Sequence, residues 1–299
     1  MPGLQHPDQA HRSRAALDLS LPFMPKAVTS QHSFAQRLVA WQRLHGRHDL
    51  PWQVSRDPYR VWLSEIMLQQ TQVVTVMGYY QRFLTAFPDV QALAEAHLDQ
   101  VLGLWSGLGY YSRARNLHAC AQQVVSEFAG VFPRRVEELQ TLKGIGPSTA
   151  AAIASLCFEH RVAILDGNVK RVLTRHQGFA LDLSSSANEK KLQAVADACL
   201  PFKEVDMPFY TQGIMDLGAT LCMPKNPQCP LCPVKNHCKA VKEGKPENYP
   251  VKTKKLKRTS EQLWLLYAKT KNGEVWMVQR PQSGIWAGLY CLPEIGRAH

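Results

Sequence analysis

Leu142-Lys143-Gly144-Ile145-Gly146-Pro147-Ser148-Thr149-Ala150, followed by Val162-Ala163-Ile164-Leu165-Asp166-Gly167-Asn168-Val169, is the stretch that decides the fold. Two glycines one residue apart let the backbone turn sharply and come close to a ligand. The amides that open the next helix then suit a phosphate. A lone Gly-x-Gly is most often only a turn. Asp166 ends an apolar run and precedes Gly-Asn, so it is either a helix N-cap or a functional carboxylate.

Outward from this stretch the pattern is helical, from Ser33 to about Leu221. Phe34, Leu38, Trp41 and His45 fall at helix spacing, and Gly46 stands where that helix ends. Helices are predicted at 59–69, 72–86, 98–105, 112–128, 147–158, 168–175, 187–199 and 208–221. Strand-like alternation is nearly absent, so this region is expected to be all-α. Val61-Trp62-Leu63-Ser64-Glu65-Ile66-Met67-Leu68-Gln69-Gln70-Thr71-Gln72 carries one acid among apolar neighbours. An exposed helix is the usual place for a glutamate. Burial among Trp62, Ile66, Met67 and Leu68 instead raises its pKa and keeps a proton available near neutrality. Gly107-Leu108-Gly109-Tyr110-Tyr111-Ser112-Arg113-Ala114-Arg115-Asn116 reads as a loop entering a helix, with Arg113 and Arg115 expected at phosphates.

Four of the eight cysteines are clustered as Cys222-x6-Cys229-x2-Cys232-x5-Cys238. With no secretion signal read from the sequence, clustered cysteines suggest metal rather than disulfides. Four thiolates in short loops can wrap an iron–sulfur cube or hold tetrahedral zinc. Zinc sites more often show two close cysteine pairs, and here there is one. Residues 222–258 also hold ten Lys/Arg against Glu243 and Glu247, within a chain of net charge +11. Such a stretch attracts polyanions, or is a solvated linker.

Taken together, the x6-x2-x5 cysteine spacing, the glycine hairpin and Asp166 resemble the endonuclease III superfamily of helix–hairpin–helix DNA glycosylases. The Trp62–Val73 run and the Gly-Leu-Gly-Tyr-Tyr block resemble its MutY branch of adenine glycosylases. The resemblance implies a mainly α helix–hairpin–helix glycosylase fold with a [4Fe-4S] cluster on Cys222, Cys229, Cys232 and Cys238. It implies that Asp166 stabilises the sugar cation, that Glu65 protonates adenine at N7, and that Ser148 and Asn168 position Asp166 or its water. Gln70, and less directly Gln69, enter the helix near the target. Tyr110 stacks beside the base opposite adenine. Gly144, Gly146, Lys143 and Arg113 are expected at the DNA backbone. Ser148 stands where endonuclease III has its lysine nucleophile, so a monofunctional enzyme is implied. The implied substrate is double-stranded DNA with adenine opposite 8-oxoguanine or guanine. Two other readings stay open: an endonuclease III-like glycosylase/lyase for damaged pyrimidines, and an inert DNA-binding module.

The domain reading is a disordered extension over 1–30, a helical domain over 31–240, a basic linker over 241–259 and a last segment over 260–299. In that segment Leu263–Ala268 and Val275–Gln279 are predicted strands, with Asn272-Gly273 as the turn. Val278-Gln279-Arg280-Pro281 and Gly284–Tyr290 resemble the opening of the MutT-like (Nudix-like) α/β domain that helps MutY recognise 8-oxoguanine. The expectation is that this domain is incomplete, that preference for 8-oxoguanine is poorer, and that the stub packs on the first domain or is a fragment of something longer. Arg12 and Arg14 suit a targeting leader, but Asp8 and Asp18 fit one poorly. No apolar run is long enough to cross a bilayer. A cytoplasmic, nucleoid-associated monomer is expected.

Overall fold

The computed structural model describes residues 33–253, 260–281 and 283–298. The expected extension over 1–30 and the centre of the basic linker, 254–259, lie outside the described residues. The helices are α1 (Phe34–His45), α2 (Pro58–Leu68), α3 (Val73–Ala86), α4 (Val90–Glu95), α5 (Leu98–Trp105) and α6 (Ser112–Phe128). They continue as α7 (Val136–Leu139), α8 (Pro147–Phe158), α9 (Gly167–Gln177), α10 (Ser186–Ala198), α11 (Met207–Thr220) and α12 (Lys239–Lys242). Among the described residues none is long and apolar enough to cross a membrane.

Local chemistry explains the boundaries. Ser33 and Gln36 form a reciprocal capping box at α1. Asp57 caps α2, with Pro58 in its first turn. Gly178 ends α9 in the left-handed region at φ +64°.

Two apolar cores organise these helices. One gathers Trp62, Met67, Tyr80, Phe83, Trp105 and Leu117, from α2 to α6. The other gathers Leu38, Leu173, Leu192, Tyr210 and Leu217, from α1 and α9 to α11. Helix α8 belongs to both: Ala150, Ile153 and Ala154 face the first, and Ala151 and Ala152 the second. Small residues on every side let helices from both cores approach α8, which packs against α2 and α11. The hairpin at the start of α8 is thereby fixed relative to both halves.

The chain after α12 departs from the expected linker. Tyr249 is buried, Leu183 donates its amide to the Val251 carbonyl at 3.0 Å, and the Thr253 amide donates to Asp182 at 3.3 Å. Residues 241–253 are thus docked on the helical body, because backbone groups there find partners.

The last segment forms β1 (Gln262–Leu265), β2 (Val278–Gln279), β3 (Tyr290–Cys291) and β4 (Glu294–Ala298). Strand β1 pairs antiparallel with β4, and β2 with β3, in two separate two-stranded sheets. The predicted strands are shorter than expected. Their hairpin is limited to the Lys269–Val275 bridge and the hydrogen bonds beside it, around Gly273 at φ +92°. No helix forms among the described residues of this segment, whose Trp264, Trp276 and Trp286 are exposed. Arg115 on α6 donates to the Ala287 carbonyl of this segment at 2.8 Å.

Candidate active site

Asp166 is the N-cap of α9, and its carboxylate accepts the Val169 amide at 2.7 Å. The bland reading of this residue is correct as geometry, and it does not exhaust the site. Burial raises the Asp166 pKa. The Val169 and Asn168 amides and the Arg171 and Lys170 charges oppose that rise. Asn168 approaches the other carboxylate oxygen at 3.5 Å and is itself held by Arg171 at 2.8 Å.

Glu65 comes from α2, in the other core. Its residue is half-buried, but its carboxyl is desolvated. Burial, then the charge of Asp166, pushes its pKa up to about 7. Two acids far apart in sequence and anchored in different cores are thus within electrostatic reach of each other. Both pKa values are raised by burial, and the two differ in what opposes it: Glu65 has only the charge of Asp166 beside it, which raises it further to about 7, whereas amides and cations restrain the rise at Asp166.

Two exposed turns stand out by their backbone. Gln70 follows α2 at φ 57°, and Tyr110 precedes α6 at φ 49°. Both are non-glycine residues in the left-handed region, where strain collects at functional positions. Tyr110 is 57% exposed. Gln69, the C-cap of α2, is half-buried and offers its carbonyl to Arg113.

The expectation for Arg113 is overturned. The residue is buried, and its guanidinium is turned onto backbone carbonyls. Nη1 donates to the carbonyls of Ile66, Met67 and Gln69 at 2.9, 2.9 and 2.6 Å. Nη2 donates to Thr71 Oγ1 at 3.1 Å and to the Leu108 and Gly109 carbonyls at 3.4 and 3.3 Å. Helix α2 ends without its own partners for those carbonyls, and the planar guanidinium supplies them.

At the hairpin, Gly144 has φ +77°, and a Cβ there would lie 2.8 Å from Asn116 Cβ. Gly146 has φ −86°, and a Cβ there would meet nothing within 4 Å. Only Gly144 is demanded by the fold. Lys143 is exposed, and its amide donates to Gln123 at 3.0 Å. Ser148 is half-buried in the first turn of α8 and makes no hydrogen bond to Asp166 among the described residues. Of the two residues expected to position Asp166 or its water, Asn168 approaches the carboxylate directly.

Cys222, Cys229, Cys232 and Cys238 line one enclosed cavity with Val172, Arg175, Leu217 and Val234. Sequence reading missed Arg171 and Arg175. Arg171 joins Asn168 to the carbonyls of Gly218 and Cys222 at 2.7 Å each. Fully buried Arg175 donates to Cys222 Sγ at 3.4 Å and to the Met223 carbonyl at 2.7 Å. Their spacing of one helical turn, starting three residues after Asn168, was the available signal.

This fold and this pair of acids define a class. Residues 63–276 match the family described as HhH-GPD superfamily base excision DNA repair protein. The chain belongs to that superfamily. It is 40% identical over 265 residues to an adenine DNA glycosylase of Buchnera aphidicola subsp. Acyrthosiphon pisum, covering 89% of this chain and 75% of that protein. It is 35% identical over 322 residues to the adenine DNA glycosylase of Homo sapiens, covering 90% and 58%. In fold it is similar to a thermostable thymine-DNA glycosylase, with TM-score 0.62, 25% identity and coverage of 70% of this chain and 95% of that one. It is also similar in fold to an endonuclease III bound non-covalently to DNA, with TM-score 0.58, 21% identity and coverage of 70% and 94%.

Proposed function

We propose that this chain is a monofunctional adenine DNA glycosylase, acting on double-stranded DNA with adenine opposite 8-oxoguanine or guanine. The observation that carries the reading is the coupled pair Glu65–Asp166, with Glu65 held near neutrality. Relatives named adenine DNA glycosylase over most of this chain support the choice of base. Glu65 gives its proton to N7 of the extruded adenine. The C1′–N9 bond breaks and its electron pair goes to the base. The Asp166 carboxylate, held by Val169 and Asn168, stabilises the positive sugar; a water oxygen then bonds to C1′, and the water's proton goes to the Glu65 carboxylate, which restores its acid form. Ser148 supplies no amine, so no Schiff base forms at that position. Gly144, Gly146 and Lys143 meet the DNA backbone, while Gln70, with Gln69 beneath it, and Tyr110 enter the stack.

The four cysteines suit a [4Fe-4S] cluster. All four line one cavity, so their sulfurs face a common space. A multi-iron cluster needs a wider ring of sulfurs than zinc does. Its role here is structural: it closes the loop that displays Lys225, Lys235 and Lys239 to solvent.

The test is single-turnover incubation with duplexes carrying A opposite 8-oxoguanine, A opposite G, and thymine glycol. Adenine release from the first two, abolished by Asp166→Asn with DNA binding retained, is the expected result. Release at thymine glycol with a borohydride-trapped complex would establish the lyase reading instead. Binding without any base release would leave only a DNA-binding module.

A further inference from the structure

Gln70 and Tyr110 are far apart in sequence and share an unfavourable backbone conformation. One side chain reaches both turns. Arg113 holds the end of α2 and Thr71 through four contacts, and the carbonyls of Leu108 and Gly109 through two more. Its guanidinium also lies 5.5 Å from the centre of the Tyr110 ring. A buried cation with no carboxylate among these partners is costly unless carbonyl dipoles replace its water, which is what both turns provide. The guanidinium is rigid and planar, so fixing one turn against it fixes the other.

We propose that Arg113 is a positioning residue that locks the Gln70 and Tyr110 turns into one two-pronged unit for opening the duplex. The proposal rests on the glycosylase reading above. It removes Arg113 from the phosphate-binding surface and makes base extrusion, rather than DNA affinity or proton transfer, the step that depends on it. Lysine keeps the charge but not the fork, so Arg113→Lys separates the two. Thr71→Val removes one acceptor and is the milder variant.

Both variants are compared with wild type as the full, iron-loaded chain in three measurements. These are single-turnover adenine release, fluorescence of 2-aminopurine at the target position, and amide hydrogen exchange. In Arg113→Lys, release and extrusion should fall tenfold or more, while the pH midpoint for release stays where wild type has it. Exchange should rise together over 68–72 and 107–111 and stay unchanged in α9. Thr71→Val should show the same pattern at smaller size. Wild-type extrusion in both variants, a rise confined to one turn, a rise that spreads through α8 and α9, or a shifted pH midpoint would overturn the proposal. If wild type releases no adenine, the functional reading fails, and the exchange data still decide whether the two turns move as one.

Discussion

At the residue scale the two acids make opposite demands. Glu65 was legible in the sequence through its apolar neighbours, and its raised pKa follows from burial first and Asp166 second. Because Glu65 acts protonated, adenine release should fall roughly tenfold per pH unit above about pH 7, and because Asp166 acts ionised with a pKa raised by burial, release should also decline in acid. A single-turnover pH series checks this. The stability effect has the same direction. The folded pKa lies above the unfolded value, so the folded state binds the extra proton, and stability falls as pH rises from 4.5 toward 7. Glu65→Gln should therefore cut release by about 10²–10⁴-fold and raise the melting temperature at pH 8 but not at pH 4. Asp166 has a second duty as N-cap. Asp166→Asn keeps the cap and should leave stability nearly unchanged, whereas Asp166→Ala should cost about 1 kcal/mol as well as activity, measured by denaturant unfolding. Arg113 was misread because an arginine beside a glycine-rich loop looks the same in sequence whether it turns outward to phosphate or inward to carbonyls. Only the unpartnered end of α2, across the fold, decides it.

At the element scale most helices were readable from apolar spacing, and their observed bounds follow from caps that the spacing does not show: Ser33 and Gln36 for α1, Asp57-Pro58 for α2, Gly178 for α9. Helices α4, α7 and α12 were not, since pieces of four to six residues have too few positions to show a period. The C-terminal strands failed in the other direction. An apolar run suggested long strands, yet pairing of β1 with β4 and β2 with β3 depends on partners distant in sequence. The hairpin before α8 shows the same division within three residues. Gly144→Ala places a Cβ against Asn116 and forces left-handed backbone on alanine, so it should destabilise by about 1–3 kcal/mol. Gly146→Ala meets open space at an ordinary φ, so its unfolding midpoint should match wild type. If that open face receives a phosphate, Gly146→Ala should still weaken duplex binding. Equal binding by this variant, titrated at low salt, would remove the hairpin from the DNA surface.

At the scale of the whole molecule, α8 joins two cores, and the acid pair draws one member from each. That partition was invisible in the sequence, because helix periodicity shows which face is buried and not against which core. The cysteine loop meets the second core only at its edge, through buried Val234 and half-buried Cys222 and Cys232. Between Cys222 and α12 the chain forms short 3-10 turns, and only Val234 and Cys238 are buried there. Too little apolar surface is covered to order this stretch without a staple. Beyond that edge, its polar contacts to the body include Arg171 and Arg175 on α9, which hold the carbonyls of Cys222, Met223 and Pro224, and α12 packs on α9. Loss of one thiolate should therefore unfold the loop locally and leave the helices upstream of it intact. In Cys232→Ser, iron content should fall and limited proteolysis should cut first within 223–247, while helical circular dichroism stays close to wild type. Duplex affinity should drop at least tenfold at low salt, since Lys225, Lys235 and Lys239 would no longer be presented together. The loss should shrink as salt is raised. A variant that keeps its loop protected and its affinity unchanged would show that apolar packing alone orders this stretch, and that the four sulfurs have no structural duty.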